Sequence, residues 1–214
     1  MEYSDQQIEL GKWLFSGPCE FQIGAVKVDD IPITNYTEIA FCGISNVGKS
    51  SLINAITGRK IARASNTPGR TRQINFFLQR TNLMLVDLPG YGYAKASKKD
   101  IAGWTDLVFQ YLKGRANLQR VCMLIDARRG LKQTDEEVMS MLDDSAVIYQ
   151  IILTKTDKVK KSDVEKIISA IRSIAHNHTA LYPGIIATSS INNTGIEELR
   201  TQLTLLCDPL PKKQ

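Results

Sequence analysis

The strongest constraint on the fold is a glycine-containing turn over residues 43–50, which reads Gly-Ile-Ser-Asn-Val-Gly-Lys-Ser. An apolar run at 39–42 precedes the turn and predicts a buried strand, and a helical pattern follows it. A strand, a glycine turn and a helix in this order direct backbone N–H groups and a helix N-terminus at one point, which favours a bound anion. The turn therefore predicts an α/β fold with a phosphate-binding loop.

The rest of the chain alternates apolar strand-like runs with amphipathic helical segments. This alternation predicts a mostly parallel sheet covered by helices on both faces. Residues 74–78 and 83–86, joined by a polar turn, are expected to form an antiparallel pair. We expect one domain over residues 37–208, preceded by an extension at 1–36 and followed by a basic tail at 209–214.

Composition excludes several classes of protein. No apolar run approaches the roughly 20 residues that a membrane-crossing helix needs. The first residues are acidic and lack the pattern of a secretory signal. The four cysteines have no metal-ligand spacing, and those in apolar runs are expected to be reduced. These features predict a cytoplasmic protein without membrane contact.

Two residues at the end of the turn are candidates for binding a nucleoside triphosphate. In a GxxxxGK[ST] loop, Lys49 is expected to reach the β- and γ-phosphates, and the Ser50 hydroxyl to ligate Mg²⁺. Further along, Asp87 closes an apolar strand in the sequence Asp-Leu-Pro-Gly, where its carboxylate can hold Mg²⁺ and the Gly90 N–H can meet the γ-phosphate. In isolation this short motif is usually a plain turn, but its order and spacing after the loop favour a site.

A third motif predicts which base is bound. Thr154-Lys-Thr-Asp157 follows another apolar strand, and Asp157 can accept the N1–H and N2–H groups of guanine, a pattern that adenine lacks. The aliphatic stem of Lys155 can lie against the base. Backbone N–H groups of Ser189 and Ser190 can serve guanine O6. The alternative is a solvated turn, which the other two motifs make the weaker interpretation.

Residues 66–71, Asn-Thr-Pro-Gly-Arg-Thr, have the composition of a switch segment. Such a segment becomes ordered when a hydroxyl ligates Mg²⁺ and contacts the γ-phosphate. Thr71 is the preferred candidate for this role. Thr67 competes with it, but Thr67 precedes Pro68 and its backbone is restricted.

With these motifs in place, the chain resembles the EngB (YihA/YsxC) family of bacterial GTPases, in the class that also contains Era and MnmE. The resemblance rests on residues 38–54, 66–71, 87–94, 126–132 with Asp135, and 154–157. It implies a Ras-like P-loop NTPase fold: three α/β/α layers and a six-stranded, mostly parallel sheet with one antiparallel strand. It also implies a Mg²⁺-dependent GTPase that helps to assemble the large ribosomal subunit and is needed for normal septation.

The resemblance further implies a set of site residues. The resemblance implies Mg²⁺ ligation by Ser50 and Thr71, and the Asp-Leu-Pro-Gly motif adds Asp87 as a predicted ligand. The candidate catalytic residues are Lys49, Thr71 and Asn46. Nucleotide contacts are implied for Gly43, Ile44, Ser45, Asn46, Val47, Gly48, Lys49, Ser50, Ser51, Gly69, Arg70, Thr71, Arg72, Gln73, Asp87, Leu88, Pro89, Gly90, Thr154, Lys155, Thr156, Asp157, Thr188, Ser189 and Ser190. Ile44 replaces an arginine usual in the family, and Thr154 replaces the asparagine of most GTPases, which loses an amide contact.

Two residues bear on the rate of hydrolysis. Tyr91 stands where many GTPases keep a glutamine that orients the attacking water, so intrinsic turnover is expected on the order of 10⁻⁴ to 10⁻² s⁻¹. Asn46 has two interpretations. In MnmE-like GTPases an asparagine at this position helps to hold K⁺ beside the phosphates; alternatively, Asn46 only shapes the loop.

The expected ligands are GTP and GDP, and the expected protein is a monomer that contacts the large ribosomal subunit or its precursor. Residues 50–86 contain no acidic residue but six basic ones, which suits RNA phosphates; a generally soluble basic face is the alternative. The basic residues are Arg59, Lys60, Arg63, Arg70, Arg72 and Arg80. Two other functions stay open: a P-loop kinase or ATPase, which Asp157 disfavours, and a GTP-regulated scaffold that acts directly on division proteins.

Overall fold

The computed structural model describes residues 2–62, 73–80, 83–91 and 98–207, with the backbone alone over 98–105. The predicted tail at 209–214 and the switch residues Gly69, Arg70, Thr71 and Arg72 lie outside these ranges. The helices are α1 Asp5–Ser16, α2 Lys49–Thr57, α3 Lys98–Lys113, α4 Gln133–Asp144, α5 Lys161–Ile174 and α6 Ile196–Thr204. The strands are β1 Cys19–Ala25, β2 Thr37–Gly43, β3 Ile74–Gln79, β4 Leu83–Asp87, β5 Leu118–Asp126, β6 Tyr149–Thr154 and β7 Leu181–Ala187.

All the described strands belong to one sheet in the order β1-β3-β4-β2-β5-β6-β7. Strand β3 runs antiparallel to both of its neighbours, and the other pairings are parallel. This confirms the predicted α/β fold class with one antiparallel strand. The sheet has seven strands, one more than the six expected, because β1 pairs with β3 at the edge.

The sheet is covered on both faces, as its apolar strands predict. One apolar cluster lies against α3, α4 and α5 and includes Tyr111, Met139 and Ile171. The other lies against α1, α2 and α6. Every residue of β2 is buried, which fits a central parallel strand with helices above and below.

The N-terminal residues are part of this layered structure. Helix α1 begins with a capping box in which Ser4 and Gln7 exchange hydrogen bonds. The Gln79 Nε2 donates to the Leu14 carbonyl at 2.7 Å, and β1 extends the sheet beyond β3. The residues expected to form an extension therefore include the edge strand of the sheet and a helix that packs against one of its faces.

The parallel strands end at one edge of the sheet, and that edge positions the candidate site. Strands β2, β4, β5, β6 and β7 end at Gly43, Asp87, Asp126, Thr154 and Ala187. Ligands of open α/β sheets bind outside the carboxyl ends of the strands, where loops converge.

None of the helices in the described part of the chain has the length and the apolar composition of a membrane-spanning segment.

Candidate nucleotide-binding site

The loop between β2 and α2 has glycines at positions where a side chain would be strained or would clash. Gly48 is the N-cap of α2 and has φ +109°, which a side chain would strain. A Cβ on Gly43 would lie 2.8 Å from Val47 Cγ1 and 3.0 Å from the Leu124 carbonyl oxygen, so only glycine fits there. Asn46 also has a positive φ, +64°, which asparagine tolerates better than most residues. The N-terminus of α2 therefore lies at this loop, and a helix N-terminus is the end that attracts anions.

Lys49 and Asp87 meet in this site. The Lys49 ammonium forms an ion pair with Asp87 Oδ1, and both side chains are about nine-tenths buried. Ser50 follows Lys49 in the first turn of α2, and Ser51 is exposed behind it. The structure therefore brings the lysine of the phosphate loop next to the carboxylate at the end of β4.

The Asp-Leu-Pro-Gly segment is tied to the loop by backbone hydrogen bonds. Tyr91 N donates to the Gly43 carbonyl at 3.2 Å, and Ser45 N donates to the Tyr91 carbonyl at 3.1 Å. A Cβ on Gly90 would lie 3.3 Å from both the Gly43 oxygen and the Ser45 nitrogen, which explains a glycine there. Leu88 is buried beside them.

Tyr91 points into the protein. Its hydroxyl donates to Asp135 Oδ1 at 2.9 Å, and the ring is buried. Asp135 also accepts from Arg129 Nη2 at 3.2 Å and from the Lys132 backbone N–H at 3.0 Å. Burial, followed by the nearby side chains of Cys42 and Asp135, strongly raises the pKa of Tyr91. Its hydroxyl is therefore a neutral structural donor, bonded to a carboxylate within the fold.

The predicted base-reading motif, Thr154–Asp157, is hydrogen-bonded to the segment that follows β7. The Ser189 hydroxyl donates to Asp157 Oδ1 at 2.7 Å, and this bond is the main cause that lowers the pKa of Asp157. Thr156 donates to the Thr188 carbonyl through its backbone N–H at 3.2 Å and its hydroxyl at 3.0 Å. Asp157 is therefore an ionised acceptor with a fixed orientation.

The predicted donors to guanine O6 are only partly available. The Ser189 backbone N–H donates to the Thr194 carbonyl at 3.0 Å. Within the described part of the chain, the Ser190 N–H has no hydrogen-bond partner. Of the two groups predicted from the sequence, the Ser190 N–H is the one that is free.

Thr154 and Lys155 connect the base-reading motif to the phosphate loop. The Thr154 hydroxyl donates to the Val47 carbonyl at 2.7 Å, so threonine at this position does contact the loop. Lys155 has φ +57°, and its Nζ donates to the Asn46 carbonyl at 2.6 Å. The same ammonium lies 2.9 Å from Asp126 Oδ2.

Asp126 was not predicted as a site residue, although its position gave a signal: it is the last residue of β5, at the edge where the other site strands end. Burial would raise the pKa of its carboxyl, but hydrogen bonds from Arg128 and Lys155 outweigh this and lower it to about 2.

Gln73, predicted to contact nucleotide, donates to Asn75 Oδ1 at 2.8 Å and lies against Gly24 of β1.

The basic residues predicted to face RNA differ in their surroundings. Arg59 and Lys60 are exposed just after α2. The Arg80 guanidinium lies 4.3 Å from the centroid of the Trp13 ring, and its Nε donates to the Trp13 carbonyl at 2.9 Å. Arg80 therefore fixes α1 to the sheet. Arg63, Arg70 and Arg72 lie outside the described residues.

Comparisons with known proteins agree with this geometry. A family model described as 50S ribosome-binding GTPase matches residues 38–155. A protein named "Probable GTP-binding protein EngB" from Rhodospirillum rubrum is 49% identical, with 97% of this chain and 93% of the relative covered. The protein of the same name from Gluconobacter oxydans is 50% identical, with 97% of this chain and 92% of the relative covered. The one from Ruegeria pomeroyi is 53% identical, with 90% of this chain and 89% of the relative covered.

Solved structures support the fold. The crystal structure of a probable GTP-binding protein engB has a TM-score of 0.62 at 24% identity, covering 79% of this chain and 97% of that one. Aquifex aeolicus Era bound to GDP.AlF4- has a TM-score of 0.66 at 24% identity, covering 83% and 57%. Together with the curated relatives and the family match, they lead to one conclusion: the chain is a P-loop GTPase that belongs to the EngB family of GTP-binding proteins.

Proposed function

We propose that the site at the carboxyl edge of the sheet binds GTP and GDP with Mg²⁺, that GTP hydrolysis is slow, and that the protein is a switch in large ribosomal subunit assembly. One observation carries the nucleotide part. A phosphate loop with Lys49 beside Asp87 and a fixed Asp157 carboxylate lie at the same edge of one sheet. The names of the curated relatives, GTP-binding proteins, support it.

Specificity for guanine follows from Asp157. Its carboxylate accepts the N1–H and N2–H groups of guanine, and the hydrogen bond from Ser189 orients it for both. Adenine presents no such pair of donors, so with adenine the Asp157 carboxylate would lack the two hydrogen bonds that guanine supplies. Competition between labelled GDP and unlabelled ATP tests this: equal displacement by ATP and GTP would refute guanine specificity.

The donor set suits Mg²⁺. Among the described residues there is no cluster of three or more His, Cys, Asp or Glu side chains that could hold a metal alone. Mg²⁺ in nucleotide sites takes few protein oxygens and completes its shell with phosphates and water, so the Ser50 hydroxyl and the Asp87 carboxylate fit. The bound ion would neutralise phosphate charge. Thr71 is proposed as a further ligand.

Slow hydrolysis follows from the position of Tyr91. Because its hydroxyl is bonded to Asp135, the residue after Gly90 offers no group to orient water at the γ-phosphate. We expect an intrinsic rate on the order of 10⁻⁴ to 10⁻² s⁻¹ in single-turnover assays. Lys49 and Thr71 would still stabilise developing charge. A rate above 1 s⁻¹ for the isolated protein would contradict this proposal.

Potassium dependence is a separate question about Asn46. Its positive φ gives the loop-shaping interpretation a structural basis, and its side chain is exposed, which leaves the K⁺ interpretation open. Hydrolysis rates in equal concentrations of KCl and NaCl separate the two. A rate at least several-fold higher in KCl supports ion binding, and equal rates support loop shaping alone.

The ribosomal role rests on the family description, 50S ribosome-binding GTPase, and on the exposed Arg59 and Lys60, which follow α2. We propose a cytoplasmic monomer whose effect on septation follows from ribosome assembly. Sedimentation with purified subunits tests it: the GTP-analogue state should bind the large subunit more strongly than the GDP state, with steep loss of binding as salt rises. Absence of binding in both states would refute the ribosomal role but leave the nucleotide chemistry intact.

A further inference from the structure

The carboxylate of Asp126 is buried at the end of β5, where it faces two cations. Arg128 donates to it from Nε at 3.0 Å and Nη2 at 2.7 Å, and from its backbone N–H at 3.0 Å. Lys155 donates to Oδ2 at 2.9 Å. The Asp126 side chain is only 6% exposed, whereas that of Arg128 is 55% exposed. Of these two partners, Lys155 is the one that also touches the phosphate loop.

Lys155 links three segments through one ammonium group. Its Nζ contacts Asp126 of β5 and the carbonyl of Asn46 in the phosphate loop. Its stem passes close to the loop as well, since a Cβ on Gly48 would lie 3.5 Å from Lys155 Cε. The backbone of Lys155 is left-handed, at φ +57°, a conformation that is uncommon for a lysine.

We propose that Asp126 is a positioning residue for nucleotide binding, which fixes the ammonium of Lys155 so that the base-reading segment stays joined to the phosphate loop, and thereby slows the release of GTP and GDP. This inference rests on the nucleotide site proposed above. Without Asp126, the Lys155 ammonium keeps only the neutral Asn46 carbonyl of its two partners, so the segment that follows β6 is held less firmly against the phosphate loop. Asp157, which is proposed to bind guanine, lies in that segment two residues after Lys155. The charge on Asp126 therefore serves the base site at a distance.

The test is a double-mutant cycle on the release rate of a fluorescent GDP analogue, measured by stopped flow with Mg²⁺ present. Asp126→Asn should release GDP roughly tenfold faster, as expected for the loss of one charged hydrogen bond. Lys155→Met should show at least the same acceleration. The double variant should match Lys155→Met within about twofold, because Asp126 acts through Lys155.

Asp163→Asn is the matched control. It is the same chemical change in an exposed pair with Lys166 on α5, with N–O distance 3.3 Å, and should release GDP at the wild-type rate. Circular dichroism melting checks that each variant is folded; if Asp126→Asn does not fold, Asp126→Glu replaces it in the cycle. This longer side chain displaces the charge from Lys155.

The outcomes are distinct. A wild-type protein that does not bind GDP would refute the proposed site itself. Wild-type binding with an unchanged release rate in the folded Asp126 variant would refute the inference alone. Effects of Asp126 and Lys155 that multiply in the double variant would also overturn it, since they would act independently, as two merely structural contributions do.

Discussion

The buried ion pair between Glu38 and Arg115 gives the sharpest test of how the sheet is held together. Glu38, fully buried near the start of β2, accepts from Arg115 Nε at 2.9 Å and from the Tyr111 hydroxyl at 2.9 Å. Arg115 Nη2 also donates to Glu38 Oε1 and to the Pro32 carbonyl, each at 2.5 Å. These bonds join the end of α3 and the segment before β2 to the strand that leads into the phosphate loop.

Substitution of Arg115 by Met removes the cation but leaves the carboxylate in place. An unpaired buried charge costs about 3–5 kcal/mol of unfolding free energy. For a chain of this size each kcal/mol lowers Tm by about 2–4 °C, so we expect a fall on the order of 10 °C. The measurement is urea and thermal denaturation followed by circular dichroism.

Two further variants make this prediction specific. Lys166→Met breaks an exposed pair with Asp163 and should cost less than about 0.5 kcal/mol. The double variant Glu38→Gln/Arg115→Met should recover part of the loss, because a neutral amide is cheaper to bury than a carboxylate. If Arg115→Met is no more destabilising than Lys166→Met, the Glu38 carboxylate does not become a buried charge without a counter-ion in that variant, and the reasoning is refuted.

Three other predictions concern the site. Asp157→Asn should weaken GDP binding by about tenfold or more and favour xanthosine diphosphate, whose C2 carbonyl accepts from the new amide; unchanged GDP affinity in calorimetry would oppose it. Tyr91→Phe should keep the single-turnover rate within about twofold but lower stability by about 1–3 kcal/mol, since Asp135 loses a donor; a large change in rate would place the hydroxyl at the phosphates. The carboxyl of Asp126 has its pKa depressed to about 2, so its stabilisation is present above the unfolded pKa and is lost as pH falls from about 4 towards 2; Asp126→Asn should flatten that part of the acid-denaturation curve.

Much of the site could be predicted from the sequence because its chemistry is carried by short contiguous motifs. Lys49 lies where the glycine turn predicts it, at the start of α2. Asp87 is the last residue of β4, as its apolar run indicates. The order of strand, turn and helix is enough to bring such residues together, since parallel strands end at the same edge.

The parts that the sequence did not reveal depend on contacts between distant segments. Strand β1 carries exposed polar residues such as Glu20 and Gln22, because an edge strand is covered less than a central one. Its alternation was therefore too weak to predict a seventh strand. The bonds from Tyr91 to Asp135 and from Thr154 to the Val47 carbonyl join residues far apart in the chain, and no local pattern specifies them.

The central claim is that one sheet edge holds both a phosphate cradle and a carboxylate that reads guanine. Isothermal titration of the purified protein with GDP and Mg²⁺ tests it most directly, with ATP as the competitor. We predict saturable binding of one GDP per chain, unaffected by a tenfold excess of ATP. Absence of GDP binding by folded protein, or displacement of GDP by ATP, would contradict the account.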